Sequence, residues 1–148
     1  MSKKENEILD EIEEILEKNE DARKGYEKAA ENADSSALSS YFREKASSRK
    51  SFNTELRREL KTAYPDYQEG SFSGTLHRAW MDVKNLFSAN DDEAMLEESI
   101  TGDKAAIEEY DDVIEYDNLA PGLRDLLISQ RNKIREDVSK NASLEDLH

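Results

Sequence analysis

Four long segments of the chain carry apolar residues at the three- and four-residue spacing of one face of an α-helix. Each segment interrupts this pattern once, near its middle, with a polar residue. The four interrupting residues are Asn19, Arg49, Asp103 and Gln130. A polar side chain on a buried face is costly unless it finds a partner. The repeated interruption therefore constrains the fold, because the four side chains can best find hydrogen-bond and ion-pair partners in one another.

The predicted helices span residues 5–32, 36–63 and 90–116, and a fourth begins at Pro121 and carries apolar residues as far as Val138. Asn90 is the predicted N-cap of the third helix, with Glu93 three residues later, close to a capping box. Pro121 suits the first position of a helix. The apolar face of the second helix includes Lys45. The tail from residue 140 has little periodicity, and we expect it to fray.

The connections between these helices predict the topology. Short turns follow the first and third helices, so each pair forms an antiparallel hairpin. Residues 64–89 join the hairpins and contain an amphipathic segment, TLHRAWMDVKNLF at 75–87, which predicts a short fifth helix. Such a long connection can return along the bundle and leave the second and third helices parallel. We therefore expect an all-α four-helix bundle in a single domain, 1–148, with its core at about 5–140.

Because all four interrupting residues are central in their helices, we expect them at one level of the bundle, as a polar layer in an apolar core. Arg49 and Asp103 can neutralise each other, and an arginine fork suits a carboxylate well. The layer has two open roles: it fixes helix register, as buried polar residues do in coiled coils, or it binds a ligand or acts in catalysis. A third interpretation is that a helix face has been misassigned and its polar residue is solvated.

The composition excludes several function classes. A net charge of −14 disfavours nucleic acid and anionic membrane surfaces as partners. The chain has no cysteine, so disulfides, thiolate metal sites and cysteine nucleophiles are excluded. No apolar segment follows the opening MSKKENE, and no apolar stretch reaches the length of a membrane span. We therefore expect a cytoplasmic protein.

Four stretches together carry a resemblance to a known family: FREKASSRKSF, GDKAAIEEY, DARKGYEKAAE and LHRAWMDVK. Over roughly residues 8–138 the chain resembles an uncharacterised family of bacterial ferritin-like four-helix-bundle proteins, a domain of unknown function. The most distinctive segment is HRxWMDxK in the connection, with His77, Arg78, Trp80, Asp82 and Lys84. The hairpins more distantly resemble those of rubrerythrin. The resemblance implies the ferritin-like arrangement, with the predicted fifth helix in its long crossover.

Ferritin-like di-iron proteins use a glutamate from each of two helices and a Glu-x-x-His pair from each of the other two. The glutamate positions correspond here to Asn19 and Asp103. The Glu-x-x-His positions correspond to Arg49 with Phe52 and to Gln130 with Lys133. Among these residues only Asp103 has a side chain of a type that could still bind iron. The resemblance therefore implies a degenerate di-iron site, in which a hydrogen-bonded polar layer replaces the metal, and no cofactor.

Other candidate sites are weak. His77 and the terminal His148 are the two histidines, and the chain has neither Glu-x-x-His nor His-x-x-x-His. His77 is better interpreted as a packing residue than as a catalytic base. Adjacent acidic residues do not face each other on a helix, so we expect them on the solvated surface. These pairs are Glu13–Glu14, Glu97–Glu98, Glu108–Glu109 and Asp111–Asp112.

The preferred hypothesis is a non-catalytic helical bundle, stress-associated or partner-binding, with a protein partner or a homodimer as its complex. The alternative is a metal-binding oxidase or metal-storage protein that uses Asp103 with other carboxylates such as Glu20, Glu27 or Glu98. A third hypothesis is a small polar ligand held between Arg49 and Gln130.

Overall fold

The computed structural model describes residues 3–67 and 91–145. Within them the chain forms four α-helices and no strand: α1 (Lys3–Asn32), α2 (Ser36–Ala63), α3 (Asp92–Ile114) and α4 (Pro121–Glu145). The predicted all-α class and the four long helices are therefore confirmed. The predicted fifth helix at 75–87 lies outside the described residues. The helix α4 extends beyond Val138, where the apolar pattern in the sequence ends.

The start of α3 differs from the prediction by one residue. Asp91, and not Asn90, is the N-cap: its backbone is extended, with φ −143° and ψ 165°, and its side chain accepts a hydrogen bond from the backbone N–H of Ala94 at 2.8 Å. Both residue types favour N-cap positions, so the sequence does not discriminate between them. Ser35 caps α2 in the same way, with its hydroxyl accepting from the N–H of Leu38 at 3.3 Å.

Neighbouring helices of the bundle run antiparallel. The helix α1 packs beside α2 and α3, and α4 packs beside the same two helices. On α1, Asn19 contacts Tyr110 of α3 while Tyr26, farther along, contacts Asp103, so the two helices run in opposite directions. A three-residue turn at 33–35 makes α1 antiparallel to α2 as well. It follows that α2 and α3 are parallel, and that the chain between them joins opposite ends of the bundle.

Two apolar clusters lie on either side of the polar layer. One combines the first half of α1, the second halves of α2 and α3 and much of α4, and includes Ile12, Leu56 and Leu127. The other combines the second half of α1 with the first halves of α2 and α3, and includes Phe42 and Met95. The apolar patterns of α1, α2 and α3 therefore contribute to both clusters, whereas α4 contributes to the first cluster alone.

Candidate functional site

All four residues that interrupt the apolar pattern are buried. The exposed fraction is 0% for Asn19 and Asp103, 1% for Arg49 and 2% for Gln130. Each comes from a different helix, so the layer connects all four. Burial of this degree requires that every polar group find a partner, because an unpaired buried charge or amide is strongly destabilising.

Asp103 receives hydrogen bonds from three side chains. Its Oδ1 accepts from the Tyr26 hydroxyl at 2.8 Å and from Arg49 Nη2 at 2.9 Å, and its Oδ2 accepts from Lys45 Nζ. Two of the three donors are cationic groups, each with 1% of its side chain exposed. Both carboxylate oxygens are therefore held by charge-assisted hydrogen bonds, which are stronger than those between neutral groups.

Arg49 is connected to the other three helices through Asn19. Arg49 Nη1 donates to Asn19 Oδ1 at 2.7 Å, and Asn19 Nδ2 approaches both Asn53 Oδ1 and the Tyr110 hydroxyl oxygen at 3.1 Å. The Tyr110 hydroxyl in turn donates to Gln130 Oε1 at 2.8 Å. Arg49 and Gln130 are thus linked through Asn19 and Tyr110.

The network ends on backbone carbonyl oxygens. Gln130 Nε2 donates to the carbonyl of Phe52 at 3.1 Å, and Asn53 Nδ2 donates to the carbonyl of Leu16 at 2.9 Å. A helical carbonyl oxygen has a second lone pair, so it can accept these bonds and keep its hydrogen bond within the helix. The oxygen and nitrogen of all three amide side chains, those of Asn19, Asn53 and Gln130, are therefore paired.

Lys45 is a second buried cation, which the sequence pattern did not distinguish from its apolar neighbours. Its Nζ contacts Asp103 and lies 3.7 Å from Asp137 Oδ2, and it sits 4.6 Å from the ring centre of Tyr26 and 5.4 Å from that of Tyr41. Aromatic faces at this distance attract cations. Its position four residues before Arg49, on the same helix face, was the available signal.

Asp137 is a second buried carboxylate beside Lys45, with 8% of the residue exposed. The sequence pattern placed Val138 on the inner face, whereas the structure buries Asp137 and leaves Val138 half-buried. Burial raises the pKa of the Asp137 carboxyl, and the charge of Lys45 opposes that rise. With Asp137 included, the cluster holds two cations, Lys45 and Arg49, and two carboxylates.

The two tyrosines of the layer act as neutral hydrogen-bonding groups. Burial raises the pKa of Tyr110 to about 12. Burial, and then the charge of Asp103, raise the pKa of Tyr26 well above its ordinary value. Both hydroxyls therefore remain protonated near neutral pH and can donate to the oxygens that face them.

The donor set at this centre does not fit a pair of iron ions. Asp103 is its fully buried carboxylate, and its oxygens are held by Lys45 and Arg49, where a metal would need to bind. Phe52 is buried and Lys133 is exposed, and neither side chain is an iron ligand. Within residues 3–67 and 91–145, no group of three or more histidine, cysteine or acidic residues is arranged to hold a metal ion.

The carboxylates considered for an alternative metal site do not join Asp103. Glu20 and Glu27 both pair with Arg23 on α1, at 3.2 Å to Nε and 2.7 Å to Nη1 respectively. Glu98 is half-buried on α3. The residues of the HRxWMDxK segment lie outside the part of the chain that the structure describes; they are His77, Arg78, Trp80, Asp82 and Lys84.

The expectation that the acidic pairs are solvated is wrong for Glu13. This residue is 5% exposed and accepts a hydrogen bond from the hydroxyl of Tyr67, which follows α2 and packs on α1. The sequence of α1 alone does not show that a later segment covers this position. Glu97, Glu108 and Asp112 are exposed, as predicted.

None of the described helices combines the length and the apolar character needed to cross a membrane.

Comparison with known proteins gives a family but no relative of known activity. No curated protein and no solved structure matches the chain at a significant level. Residues 7–116 match the model of a family described as a domain of unknown function (DUF2383). The matched region begins in α1 and ends just after α3, so it includes Asn19, Arg49 and Asp103. Because the match covers most of its length, the chain belongs to this family of domains of unknown function, DUF2383.

Proposed function

We propose that the chain is a non-catalytic, ferritin-like helical bundle that acts by binding a protein partner, with a polar layer in the place of a di-iron centre. The observation that carries this proposal is the set of contacts to Asp103. Three side chains, Tyr26, Lys45 and Arg49, occupy its two oxygens. Both oxygens of this carboxylate already bind a cationic donor, and these donors compete with a substrate or a metal for the same oxygens.

The ferritin-like part of the proposal is supported by topology. The helices α2 and α3 run parallel on a diagonal of the bundle, which a four-helix bundle with one long crossover requires. The polar layer lies at the middle of the helices, where ferritin-like proteins of that class place their metal ligands. Under this proposal, Asn19, Arg49, Asp103 and Gln130 correspond to the metal-ligand positions on the four helices.

The partner-binding part of the proposal is supported by the pairing within the polar layer. The core amides and charges are paired with one another, so the groups left to interact with other molecules are on the surface. That surface is strongly acidic, since the chain carries 35 acidic and 21 basic residues. A long helical face can also pair with its own copy around a two-fold axis. The stress-associated role rests on the resemblance to the wider ferritin-like family.

Elemental analysis of bound metal tests the proposal that the chain is non-catalytic and has no di-iron centre. The full chain is purified without chelator, supplied with iron or manganese, and desalted. We expect less than stoichiometric metal in the wild-type protein and no difference in the variant Asp103→Asn. Stoichiometric iron or manganese that is lost in Asp103→Asn would contradict the proposal and support the alternative, a metal-binding or oxidase protein with an atypical carboxylate site.

Sedimentation equilibrium and partner enrichment test the binding part. We expect the chain either to form a concentration-dependent homodimer or to retain one reproducible partner from extract of its own cells. As a control, the same enrichment is repeated after the bait has been unfolded with urea and kept unfolded. A chain that is monomeric at all concentrations and retains no partner beyond this control would contradict the proposal.

A further inference from the structure

The contact between Lys45 and Asp103 joins an amine to a carboxylate inside a water-excluded, aromatic-lined site. The exposed fraction is 1% for the Lys45 side chain and 0% for that of Asp103. The two residues belong to α2 and α3, the parallel diagonal helices, and are separated by 58 positions in the chain. A second carboxylate, Asp137, lies 3.7 Å from the same Nζ.

We propose that Lys45 and Asp103 condense to form an isopeptide bond, with Asp137 as the proton carrier and with Arg49 and Tyr26 as the oxyanion donors. Nothing in this inference depends on the proposed partner-binding function. It rests on the placement of four buried side chains, those of Lys45, Asp137, Arg49 and Tyr26, at the Asp103 carboxyl group.

The geometry provides each group that the condensation needs. Lys45 Nζ contacts Oδ2 of Asp103 and is therefore adjacent to its Cγ. The opposite oxygen, Oδ1, already accepts hydrogen bonds from Arg49 Nη2 at 2.9 Å and from the Tyr26 hydroxyl at 2.8 Å. Donors placed in advance on the oxygen where negative charge will develop are the usual means of stabilising a tetrahedral intermediate.

The reaction balances without any outside reagent. The Lys45 ammonium gives one proton to Oδ2 of Asp103, and the free amine attacks Cγ to form the Nζ–Cγ bond. The carbonyl electron pair moves to Oδ1, where Arg49 and Tyr26 hold the oxyanion. Asp137 then takes a second proton from Nζ and delivers it to the Oδ2 hydroxyl. The Cγ–Oδ2 bond breaks, water leaves with that electron pair, and Oδ1 becomes the amide oxygen.

The condensation removes two charges from the interior. Lys45 and Asp103 become one neutral amide, and burying an amide with its partners costs less than burying an ion pair. In the product, Oδ1 keeps its two donors and Asp137 can accept from the new N–H. Arg49 and Asp137 remain as a charge pair of opposite sign.

Two features of the site favour reaction over simple ion pairing. Holding amine and carboxyl in contact replaces an encounter between separate molecules, which gives the step a high effective concentration. The site also excludes the water that would otherwise reverse it, since Tyr26, Tyr41 and Phe42 form part of its wall. The raised pKa of the Asp137 carboxyl, which comes from its burial, suits a group that accepts and then returns a proton.

Intact-mass spectrometry of the full chain under denaturing conditions tests the proposal directly. We expect a mass lower than that of the sequence by one water molecule. After tryptic digestion we expect one branched peptide in which Lys45 is joined to Asp103. A folded wild-type protein with the full sequence mass would overturn the proposal.

Two lysine substitutions in the chain make the test specific. Lys45→Arg keeps a cation at the site but replaces the amine nucleophile with a guanidinium, so we expect the full sequence mass in a chain whose circular dichroism remains helical. The control is Lys104→Arg, at an exposed position next to Asp103, which should keep the loss of water. A loss of water that persists in Lys45→Arg, or that occurs without the branched peptide, would show another dehydration and overturn the proposal.

The role of Asp137 is tested by kinetics. The chain is unfolded immediately after synthesis, refolded, and sampled over time by mass. We expect Asp137→Asn to slow the loss of water at least tenfold, while Asp125→Asn, an exposed residue of the same helix, leaves the rate unchanged. An unchanged rate in Asp137→Asn would exclude Asp137 as the proton carrier.

Discussion

Arg49 on α2 donates to Asp103 on α3 across the diagonal of the bundle, with 2.9 Å between Nη2 and Oδ1. The two helices are not neighbours, so the arginine side chain spans the centre of the bundle. Because the guanidinium also donates to Asn19 of α1, one side chain of α2 links α1 and α3.

The first prediction concerns the charge of Asp103. The variant Asp103→Asn leaves two buried cations, Lys45 and Arg49, without their central partner, and removing one member of a buried ion pair typically costs about 3–5 kcal/mol. We expect a loss of this size in the free energy of unfolding when Asp103→Asn is introduced into the Lys45→Arg chain, which keeps a cation at position 45 and cannot form the isopeptide bond. Urea denaturation monitored by circular dichroism measures the loss. The matched control is Asp112→Asn, an exposed position of the same helix, where we expect a change within about 0.5 kcal/mol. Equal losses in the two variants would contradict the prediction.

The second prediction concerns the hydroxyl of Tyr110. This group donates to Gln130 and faces Asn19 Nδ2, so Tyr110→Phe leaves a buried amide oxygen without a donor. We expect a loss of about 1–3 kcal/mol in the free energy of unfolding, the usual cost of an unsatisfied buried polar group. Tyr116→Phe is the control, because Tyr116 is only half-buried and its hydroxyl bonds Glu11, outside the polar layer. A smaller loss for Tyr110→Phe than for Tyr116→Phe would be inconsistent with the network.

The third prediction concerns pH and Asp137. Burial raises the folded-state pKa of this carboxyl above its ordinary value of 3.8. Between the two values the folded state therefore binds more protons than the unfolded state, and the contribution of Asp137 to stability falls as pH rises through this window. We expect the stability of the wild type relative to Asp137→Asn to decrease from pH 3.8 upward and then to level off. Parallel stability curves for the two proteins across this window would refute the raised pKa.

The fourth prediction concerns the cap of α3. The structure places Asp91 at the N-cap, whereas the sequence pattern favours Asn90. We expect Asp91→Ala to lower the free energy of unfolding by about 1 kcal/mol, the typical value of an N-cap side chain. Asn90→Ala is the matched control and should have the smaller effect. The reverse order in thermal or urea unfolding would favour the cap that the sequence suggests.

Much of the helical architecture was predictable, because apolar spacing and turn residues are local properties. The boundaries of α2 agree with the prediction, since Ser35 and the residues around it form a clear N-terminal signal. The start of α3 differed by one residue, because Asn90 and Asp91 are equally good caps by type. The interruption of the apolar pattern also directed attention to Asn19, Arg49, Asp103 and Gln130, all of which the structure places in the interior.

The rest of the polar layer was not predictable from one helix at a time. Lys45 lies on the apolar face, but a lysine at such a position often extends its amine to solvent, and only packing by Tyr26 and Tyr41 shows that it does not. The choice between Asp137 and Val138 depends on how α4 is rotated about its axis, which its neighbours decide. The burial of Glu13 depends on Tyr67, more than fifty residues later.

The amino-acid sequence by itself determined that this protein is helical, roughly where its helices begin and end, and that the apolar face of each helix has a polar residue near its middle. Those features follow from spacing along a single chain segment. The tertiary structure decided which side chains form hydrogen bonds, which charges face each other and which carboxylates are buried. The physical reason is that hydrogen bonds and burial depend on distances between different helices, and these are set only when the helices pack together.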